Sequence, residues 1–434
     1  MIRKRNSNLT LIASIALAII LCISVSLPVF AAVVPIPGTA DKPAEAVIAK
    51  VLKMPVGTIT PDITFTFKID IKSVDESTDD ADIAAAPTID PLTVTYKAED
   101  EGTVIGTGTG AYKSVPKETE SIFTGANWKN AGVYVYTVTE VKGTLDTFKE
   151  KMTYSEAEYE LWALVKEKAD KQGFYVEIIA AYIKTEDAAN EGEKGKKVDP
   201  TPQDPDSTGK YSEMIFTNAY LKNNGGTDPK TNSVFKLSKR VDGDILDTNK
   251  YFKYTVTVTQ PATVTGTSAY KAYVMDENNN VVTDISNNAA DEYIETETDG
   301  NLPHIEFPSG TEMIVSLKHG QWLSFIDMPV GTNIAVEESA YSSYIPKYTL
   351  TLDGKSNDPI TGEKNTPLGF GKDTHTYIGE GANSAAYINF YDLAPPTGII
   401  VDNVPYIVLI AVGLIAFIGL GIFKNRKEQN IIEE

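Results

Sequence analysis

A lysine, a glutamate and an asparagine recur in the same order in the two halves of this chain, each on the apolar face of a predicted strand. They are Lys50, Glu140 and Asn218 in the first half, and Lys239, Glu338 and Asn389 in the second. Side chains alternate between the two faces of a strand, so a polar residue with apolar neighbours two positions away is directed into the core with them. The pattern therefore predicts two domains built on one plan, each with a buried Lys, Glu and Asn.

Strand periodicity does not by itself distinguish Lys50 from Lys53, because both faces of the first predicted strand carry apolar residues. The first strand of the second half is clearer, since Lys239 lies between Leu237 and Val241 on a single apolar face. Aligning the first strands of the two halves favours Lys50 as the buried lysine, with Lys53 as the alternative.

Burying these three groups together changes their chemistry. An apolar environment disfavours charge, so it lowers the pKa of a lysine towards a neutral, nucleophilic amine and raises the pKa of a glutamate towards a neutral acid. The amine can attack the asparagine carboxamide carbon while the acid stabilises the oxyanion and carries protons to the departing ammonia. The residues therefore predict self-formed isopeptide bonds from lysine to asparagine, with Glu140 and Glu338 as catalytic groups. The alternative is ordinary Lys–Glu ion pairs beside asparagine amides that bond to the backbone.

Alternating apolar residues separated by turn residues predict an all-β chain of sandwich type. The segment from Tyr154 to Gln172 is ambiguous, because its composition favours helix while its period-two apolar residues favour a hairpin with the strand after Gly173. The β context favours the hairpin. Residues 222–232 are turn-rich, with no apolar side chain beyond one proline, which predicts a linker between domains over residues 44–221 and 233–391.

Composition excludes several classes of function. A net charge of −20 over 434 residues argues against nucleic acid, which needs a basic surface. The only cysteine, Cys22, lies near the start of the chain in an apolar run, so neither disulfides nor thiolate metal sites are expected in an exported product. The motifs of serine hydrolases, zinc proteases and phosphate-binding loops are missing from the sequence, so we expect no turnover enzyme, no cofactor and no metal.

Both ends of the chain carry export and anchoring signals. Basic residues, an apolar run and small residues before Ala31 predict a signal peptide over residues 1–31, with an uncleaved anchor as the alternative. At the other end, A-P-P-T-G precedes an apolar stretch over residues 404–423 and a basic tail. A stretch of about 20 apolar residues is long enough to cross a bilayer, so we expect a membrane-directed signal over residues 394–434.

The C-terminal order of motif, span and basic tail resembles the cell-wall sorting signal of Gram-positive surface proteins, with Ala394 where the commonest pattern has leucine. The repeated strands resemble those of the major shaft pilins of streptococci and related Gram-positive bacteria. The immunoglobulin-like domains of that family carry self-formed Lys–Asn isopeptide bonds. The matching segments are A-K-V-L at Ala49 to Leu52, Y-T-V-T-E at Tyr136 to Glu140, F-T-N-A-Y at Phe216 to Tyr220, S-K-R-V at Ser238 to Val241, D-M-P-V-G at Asp327 to Gly331 and Y-I-N-F-Y at Tyr387 to Tyr391.

The resemblance implies two tandem immunoglobulin-like β-sandwich domains of the pilin and collagen-adhesin B type. It also implies that sortase cleaves between Thr397 and Gly398 and joins the Thr397 carbonyl to a lysine of another subunit. Lys210 matches the location of that lysine, with Lys196 and Lys197 as alternatives. The implied partners are sortase, other copies of the chain and peptidoglycan, at the cell surface of a Gram-positive bacterium. The alternative is a monomeric wall-anchored adhesin or minor pilin that binds a host or bacterial partner.

Overall fold

A computed structural model describes residues 37–187, 192–203, 211–264, 266, 268–296, 302–372, 374–392, 406 and 408–422. Strand is far more abundant than helix among the described residues, which confirms the predicted all-β class. The predicted signal peptide, Lys210 and the Thr397–Gly398 bond lie outside the described residues. Lys196 and Lys197 lie inside them, where Lys196 pairs with Glu193 at an exposed site.

The described residues of the first half form strands, one short helix, Asp80–Ala85, and one 3-10 turn, Gly108–Gly110. Its strands are β1 Ala49–Pro55, β2 Ile63–Val74, β3 Leu92–Tyr96, β4 Thr103–Ile105, β5 Tyr112–Glu118, β6 Gly132–Glu140, β7 Glu150–Thr153, β8 Glu158–Glu167, β9 Phe174–Thr185, β10 Lys197–Val198 and β11 Ile215–Asn224.

The second half has the same strand-rich character, with one 3-10 turn, Asp291–Tyr293. Its strands are β12 Phe235–Gly243, β13 Phe252–Thr259, β14 Ala269–Met275, β15 Ile294–Thr296, β16 Pro303–Pro308, β17 Glu312–Leu317, β18 Trp322–Phe325, β19 Met328–Pro329, β20 Asn333–Glu338, β21 Tyr344–Leu352, β22 Lys355–Ser356, β23 Ile360–Thr361, β24 Leu368–Phe370 and β25 Ser384–Tyr391.

Each half packs two sheets around its own apolar core. In the first half one sheet runs β11-β1-β5-β4, with β7 also on β11, and the other runs β10-β9-β8-β6-β2-β3. In the second half the larger sheet runs β15-β16-β14-β18-β12-β25-β21-β22, with β23 on β21, and the smaller runs β17-β13-β20-β24. One core cluster contains buried residues from Ala46 to Tyr220, and a second contains buried residues from Val234 to Tyr387.

Period-two alternation produces these cores. In β13 the side chains of Phe252, Tyr254, Val256 and Val258 are all buried, while the residues between them are exposed or half-buried. Alternate side chains of a pleated strand fall on one face, so four apolar residues at this spacing bury one face of the sheet. The ambiguous segment follows the same rule, because β8 and β9 pair along their lengths and confirm the predicted hairpin.

The last strand of the first half continues into the predicted linker. β11 ends at Asn224, three residues inside the segment 222–232. Its end pairs with β19 of the second half, with Asn223 opposite Pro329 and Asn224 opposite Met328. Polar residues carry no apolar signal for a strand, but their backbone groups can still extend a ladder when another strand lies beside them.

Further contacts join the two halves near this strand. The Glu380 carboxylate accepts hydrogen bonds from Lys222 Nζ at 2.5 Å and from the Ile59 backbone N–H at 2.8 Å. Gly331 has a φ of +81°, and a Cβ at this position would approach Pro55 Cβ to 2.4 Å. Glycine is therefore required here both by its backbone conformation and by the close approach of the first half.

The span predicted over residues 404–423 includes residues 404, 405, 407 and 423, which lie outside the described part. Among the helices that the structure does describe, none is both long enough and apolar enough to cross a membrane.

Candidate functional site

The first and last strands of each half lie side by side and parallel, which brings the lysine and the asparagine together. In the β1–β11 pair, Lys50 lies opposite the residue two positions before Asn218. In the β12–β25 pair, Lys239 lies opposite the residue two positions before Asn389. Residues two apart share a face of the strand, so the two pairs occupy equivalent inward positions in the two halves.

The glutamate of each set reaches this pair from the facing sheet. In the first half Glu140, on β6, accepts a hydrogen bond from Lys50 Nζ at 2.6 Å through Oε2. Its other oxygen, Oε1, accepts one from Asn218 Nδ2 at 2.6 Å. The carboxylate thus bridges the amine and the carboxamide, and the side chains of Lys50 and Glu140 have no exposed surface.

The second set is assembled in the same way but uses the glutamate differently. Glu338 Oε1 accepts hydrogen bonds from Lys239 Nζ at 2.5 Å and from Asn389 Nδ2 at 2.8 Å. The Tyr254 hydroxyl also approaches this oxygen, at 3.4 Å. Glu338 Oε2 and Asn389 Oδ1 are buried and have no hydrogen-bond partner within the described residues.

The asparagine carbonyl oxygen is the main difference between the two sites. Asn218 Oδ1 accepts a hydrogen bond from the backbone N–H of Ser155 at 2.7 Å. Ser155 itself is held by Asp187, whose Oδ2 accepts the serine hydroxyl at 2.8 Å. A backbone donor aimed at a carbonyl oxygen polarises the bond and makes its carbon more electrophilic.

An aromatic ring covers each lysine amine. Lys50 Nζ lies 4.5 Å from the centre of the Phe65 ring, and Lys239 Nζ lies 4.0 Å from that of Phe252. Both rings come from the second strand of their half, β2 or β13. A ring face attracts a cation but cannot accept a proton. The ring therefore shields the amine from water without taking a proton from it.

Burial shifts the pKa values in the direction that nucleophilic attack requires. It lowers the pKa of Lys50 to about 8, against the opposing charge of Glu140. It lowers the pKa of Lys239 to about 8 as well, against the opposing charge of Glu338. Burial also raises the pKa of Glu338, more than the charge and hydrogen bond of Lys239 lower it. An amine with a pKa near 8 has a much larger neutral fraction at neutral pH than an exposed lysine does.

The structure places the six core residues that the sequence singled out in two sets of three, one in each half. Lys53, the alternative to Lys50, is only half-buried, and its Nζ lies 5.2 Å from the centre of the Tyr112 ring rather than beside Glu140. Sequence reasoning missed the parts played by Phe65, Phe252 and Ser155. An aromatic residue near the start of the second strand of each half is a usable signal for the rings, but Ser155 has no counterpart that periodicity could reveal.

Other candidate chemistry is sparse. Within the described ranges, no group of three or more His, Cys, Asp or Glu side chains is arranged to hold a metal ion. A surface groove of about 290 Å³ lies over the outer face of β13 and β20, lined by residues that include Thr255, Glu337 and Lys372. It contains none of the six core residues.

Comparisons with known proteins place the chain only loosely. Residues 234–373 match a family model described as "Domain of unknown function (DUF7601)", which covers about a third of the chain. No curated protein matches.

Solved structures similar to this chain include the major pilin from Streptococcus pyogenes, which is 18% identical over 81% of this chain and 99% of that chain, with a TM-score of 0.29. The major pilin T3.2 from S. pyogenes serotype GAS13637 is 16% identical over 80% of this chain and 99% of its own, with a TM-score of 0.28. A pilus-presented adhesin is 13% identical over 54% of this chain and 35% of its own, with a TM-score of 0.22.

Proposed function

We propose that the chain is a structural subunit of a covalent surface pilus, and that each half locks itself with one isopeptide bond. The bonds join Lys50 to Asn218 and Lys239 to Asn389. The observation that supports this is the occurrence of two buried Lys, Glu and Asn sets at the same strand register. Ordinary buried ion pairs need no carboxamide at a fixed offset from the lysine, whereas bond formation does.

Each reaction converts an amine and a primary carboxamide into a secondary amide and ammonia. The neutral lysine Nζ attacks the asparagine Cγ, and the carbonyl electrons move onto Oδ1. The glutamate accepts a proton from Nζ and delivers one to Nδ2, which leaves as ammonia when the carbonyl re-forms. The glutamate ends in the protonation state in which it began, so the protein acts once on itself and no cofactor is required.

The bonds stabilise the fold through chain topology. Each would close a loop of about 150 residues or more, from the first strand of a half to its last, which stabilises the folded state by about 5 kcal/mol in the loop-entropy treatment. Tension applied to the two ends of a half would pass through the cross-link rather than unzip the strands between. A chain without cysteine beyond its leader gains in this way what a disulfide would provide.

The sequence features at the two ends support the assembled role. A signal peptide and a sorting signal with a membrane span over residues 404–423 would deliver the chain to sortase, which would join Thr397 to Lys210 of another subunit. Terminal subunits would then be attached to peptidoglycan. Asn389 precedes Thr397 by only eight positions in the sequence, so load from the next subunit would reach the second cross-link through a short segment.

Intact mass of the mature ectodomain tests the cross-links. We expect a mass two ammonia molecules below that of the sequence, with Glu140→Ala and Glu338→Ala each restoring one. Glu337→Ala is the matched control, because Glu337 is the neighbour of Glu338 on the opposite face of β20. A wild-type mass equal to that of the sequence would refute the proposal.

Immunoblotting of cell-wall extracts tests the assembled role. A shaft subunit gives a ladder of covalent multimers that Lys210→Ala abolishes and Lys196→Ala leaves unchanged. A single monomeric band would instead indicate the wall-anchored adhesin or minor pilin. A ladder lost only in the Lys196→Ala or Lys197→Ala variant would assign the acceptor to that lysine.

A further inference from the structure

We propose that the backbone N–H of Ser155 is an oxyanion donor for the first isopeptide bond, and that Asp187 is the positioning residue that aims it. This inference rests on the proposed function and deepens it, because it assigns roles to two residues outside the Lys, Glu and Asn set. It also predicts that the two bonds form by differently assisted routes.

Ser155 is placed where the reaction would develop negative charge. Its N–H donates at 2.7 Å to Asn218 Oδ1, the oxygen on which the negative charge would develop. The residue is buried and follows the end of β7, so its N–H is released from the strand ladder and turns towards the core. A donor that is already aligned in the folded protein does not have to reorganise when charge develops.

Asp187 links this donor to the strand that carries Asn218. Its Oδ2 accepts the Ser155 hydroxyl at 2.8 Å and the backbone N–H of Thr217 at 2.9 Å. Thr217 directly precedes Asn218, so one carboxylate oxygen ties the donor to the strand that carries the acceptor. The Ser155 hydroxyl also accepts the Ala157 N–H at 3.1 Å, which holds the turn before β8.

The step that this arrangement assists is the attack itself. When Lys50 Nζ bonds to Asn218 Cγ, the π electrons of the carbonyl move onto Oδ1, and the Ser155 N–H stabilises that charge. The proton lost from Nζ goes to Glu140, and a proton from Glu140 goes to Nδ2 before ammonia leaves. Oδ1 then returns to a carbonyl oxygen, still hydrogen-bonded to Ser155, so the donor is retained in the product.

Among the described residues of the second half, none donates a hydrogen bond to Asn389 Oδ1. There the neighbouring strand β21 stays paired with β25 past the asparagine, with Pro346 opposite Asn389. By these pairings the residue of β21 equivalent to Ser155 is Lys347, which is paired with Ile388 in the ladder instead of being released from it. In the first half β7 pairs with β11 only as far as Thr153, opposite Ala219, which leaves Ser155 available.

The test compares the two bonds within one molecule. The full chain is synthesised in a cell-free system and quenched at timed intervals in acid and denaturant. After proteolysis, mass spectrometry measures the fraction of each cross-linked peptide, and only chains that resist brief protease treatment before the quench are counted. The Lys239–Asn389 bond serves as the internal reference, so the readout is the rate of formation of the first bond divided by that of the second.

Three variants distinguish positioning from other effects. Ser155→Pro removes the N–H and should slow the first bond by about 100-fold. Asp187→Ala should slow it by about tenfold, the size typical of an outer partner that orients a reacting group. Asp187→Asn keeps an acceptor oxygen and should restore most of the rate. The second bond should keep its rate in all three variants.

The sign of the Asp187→Ala effect is diagnostic. The negative charge of Asp187 raises the pKa of Lys50, so loss of that charge alone would enrich the neutral amine and accelerate the first bond. A rate ratio in Asp187→Ala equal to or above that of the wild type would overturn the inference. If Ser155→Pro does not yield protease-resistant chains, the Asp187→Ala and Asp187→Asn pair still decides. A wild type without either bond would refute the proposed function itself, which is a separate outcome.

Discussion

The two core sites contain the same three residue types at the same strand register, yet they are hydrogen-bonded differently. At the first site each oxygen of Glu140 serves one partner, and Asn218 Oδ1 is bonded to Ser155. At the second site Glu338 Oε1 accepts every hydrogen bond that the described residues donate to this carboxylate. Glu338 Oε2 and Asn389 Oδ1 have no hydrogen-bond donor among those residues.

This difference bears on how each of the two proposed bonds would form. Buried acceptors without donors are costly, and a proton on Glu338 Oε2 would turn one of the two into a donor. The raised pKa of Glu338 favours that protonated form. We infer that the second site relies on its own glutamate as the acid, while the first also uses a fixed backbone donor. Equal residue types therefore do not imply equal mechanisms.

The largest expected effect comes from removing either glutamate. Glu338→Ala should prevent the second bond and lower the free energy of unfolding of that half by about 5 kcal/mol through lost loop closure. Leaving Lys239 buried without its partner should cost a further 3 to 5 kcal/mol, roughly. Denaturant unfolding followed by fluorescence measures this in a Trp128→Phe and Trp162→Phe background, because Trp322 is then the only tryptophan. An unchanged free energy of unfolding would contradict the proposed cross-link and the role of Glu338 in forming it.

Glu140→Ala is the matched variant for the first half, where Trp128 and Trp162 report. In a Trp322→Phe background the fluorescence follows this half alone. We expect a loss of similar size, with the second half unfolding as in the wild type. Simultaneous loss of stability in both halves would show that the junction couples them more strongly than their separate cores suggest.

A second prediction concerns pH in a chain that cannot form the second bond, Asn389→Ala. The raised pKa of Glu338 contributes stability that is full below about pH 4.5 and is lost as the pH rises through the folded value. The lowered pKa of Lys239 contributes stability that is full above pH 10.5 and is lost as the pH falls through about 8. The free energy of unfolding of this half should therefore fall as the pH rises from 4.5. It should then rise by about 3 kcal/mol between about pH 8 and pH 10.5.

Asn218→Ala sharpens this prediction, because the pKa of Lys50 is lowered to the same value of about 8. Denaturant unfolding at a series of pH values should give the same alkaline rise in the first half. A flat alkaline profile in both variants would mean that the lysines stay charged, and the nucleophilic role would be untenable.

A smaller effect is expected at the junction of the two halves. Glu380→Ala removes the acceptor for Lys222 and for the Ile59 N–H. One partly buried ion pair and one hydrogen bond are together worth about 1–2 kcal/mol, so the two unfolding transitions should separate by that amount. Calorimetry of the full ectodomain measures the separation, and Glu363→Ala, at an exposed loop site, serves as control. Transitions that remain superimposed would assign the coupling to the β11–β19 backbone pairing.

The smallest expected effect is that of Tyr254→Phe, which removes the hydroxyl that approaches the glutamate of the second site. The hydroxyl lies 3.4 Å from Glu338 Oε1, so the bond is weak and its loss should cost less than about 1 kcal/mol. Glu338 should become easier to protonate, because this contact lowers its pKa. Peptide mapping should still find the second cross-link. Its complete absence would make the tyrosine a required part of the site.

Much of the site was accessible from the sequence because strands impose a period of two. Lys239 lies on the same face of its strand as Leu237 and Val241, so it faces inward when those two residues enter the core. The same argument applies to Glu338. It was ambiguous for Lys50 and Lys53, where both faces are apolar. There the burial of Lys50 beside Glu140 distinguishes the two positions.

The sequence alone determined the β character, the doubled order of Lys, Glu and Asn, and the inward direction of most of these residues, because alternation is a local property of the chain. Only the tertiary structure decided which residues complete each site. The Ser155 N–H reaches Asn218 because β7 ends early, and Pro346 faces Asn389 because β21 does not. Strand endings and neighbours depend on packing between segments far apart in sequence, and no local pattern encodes them.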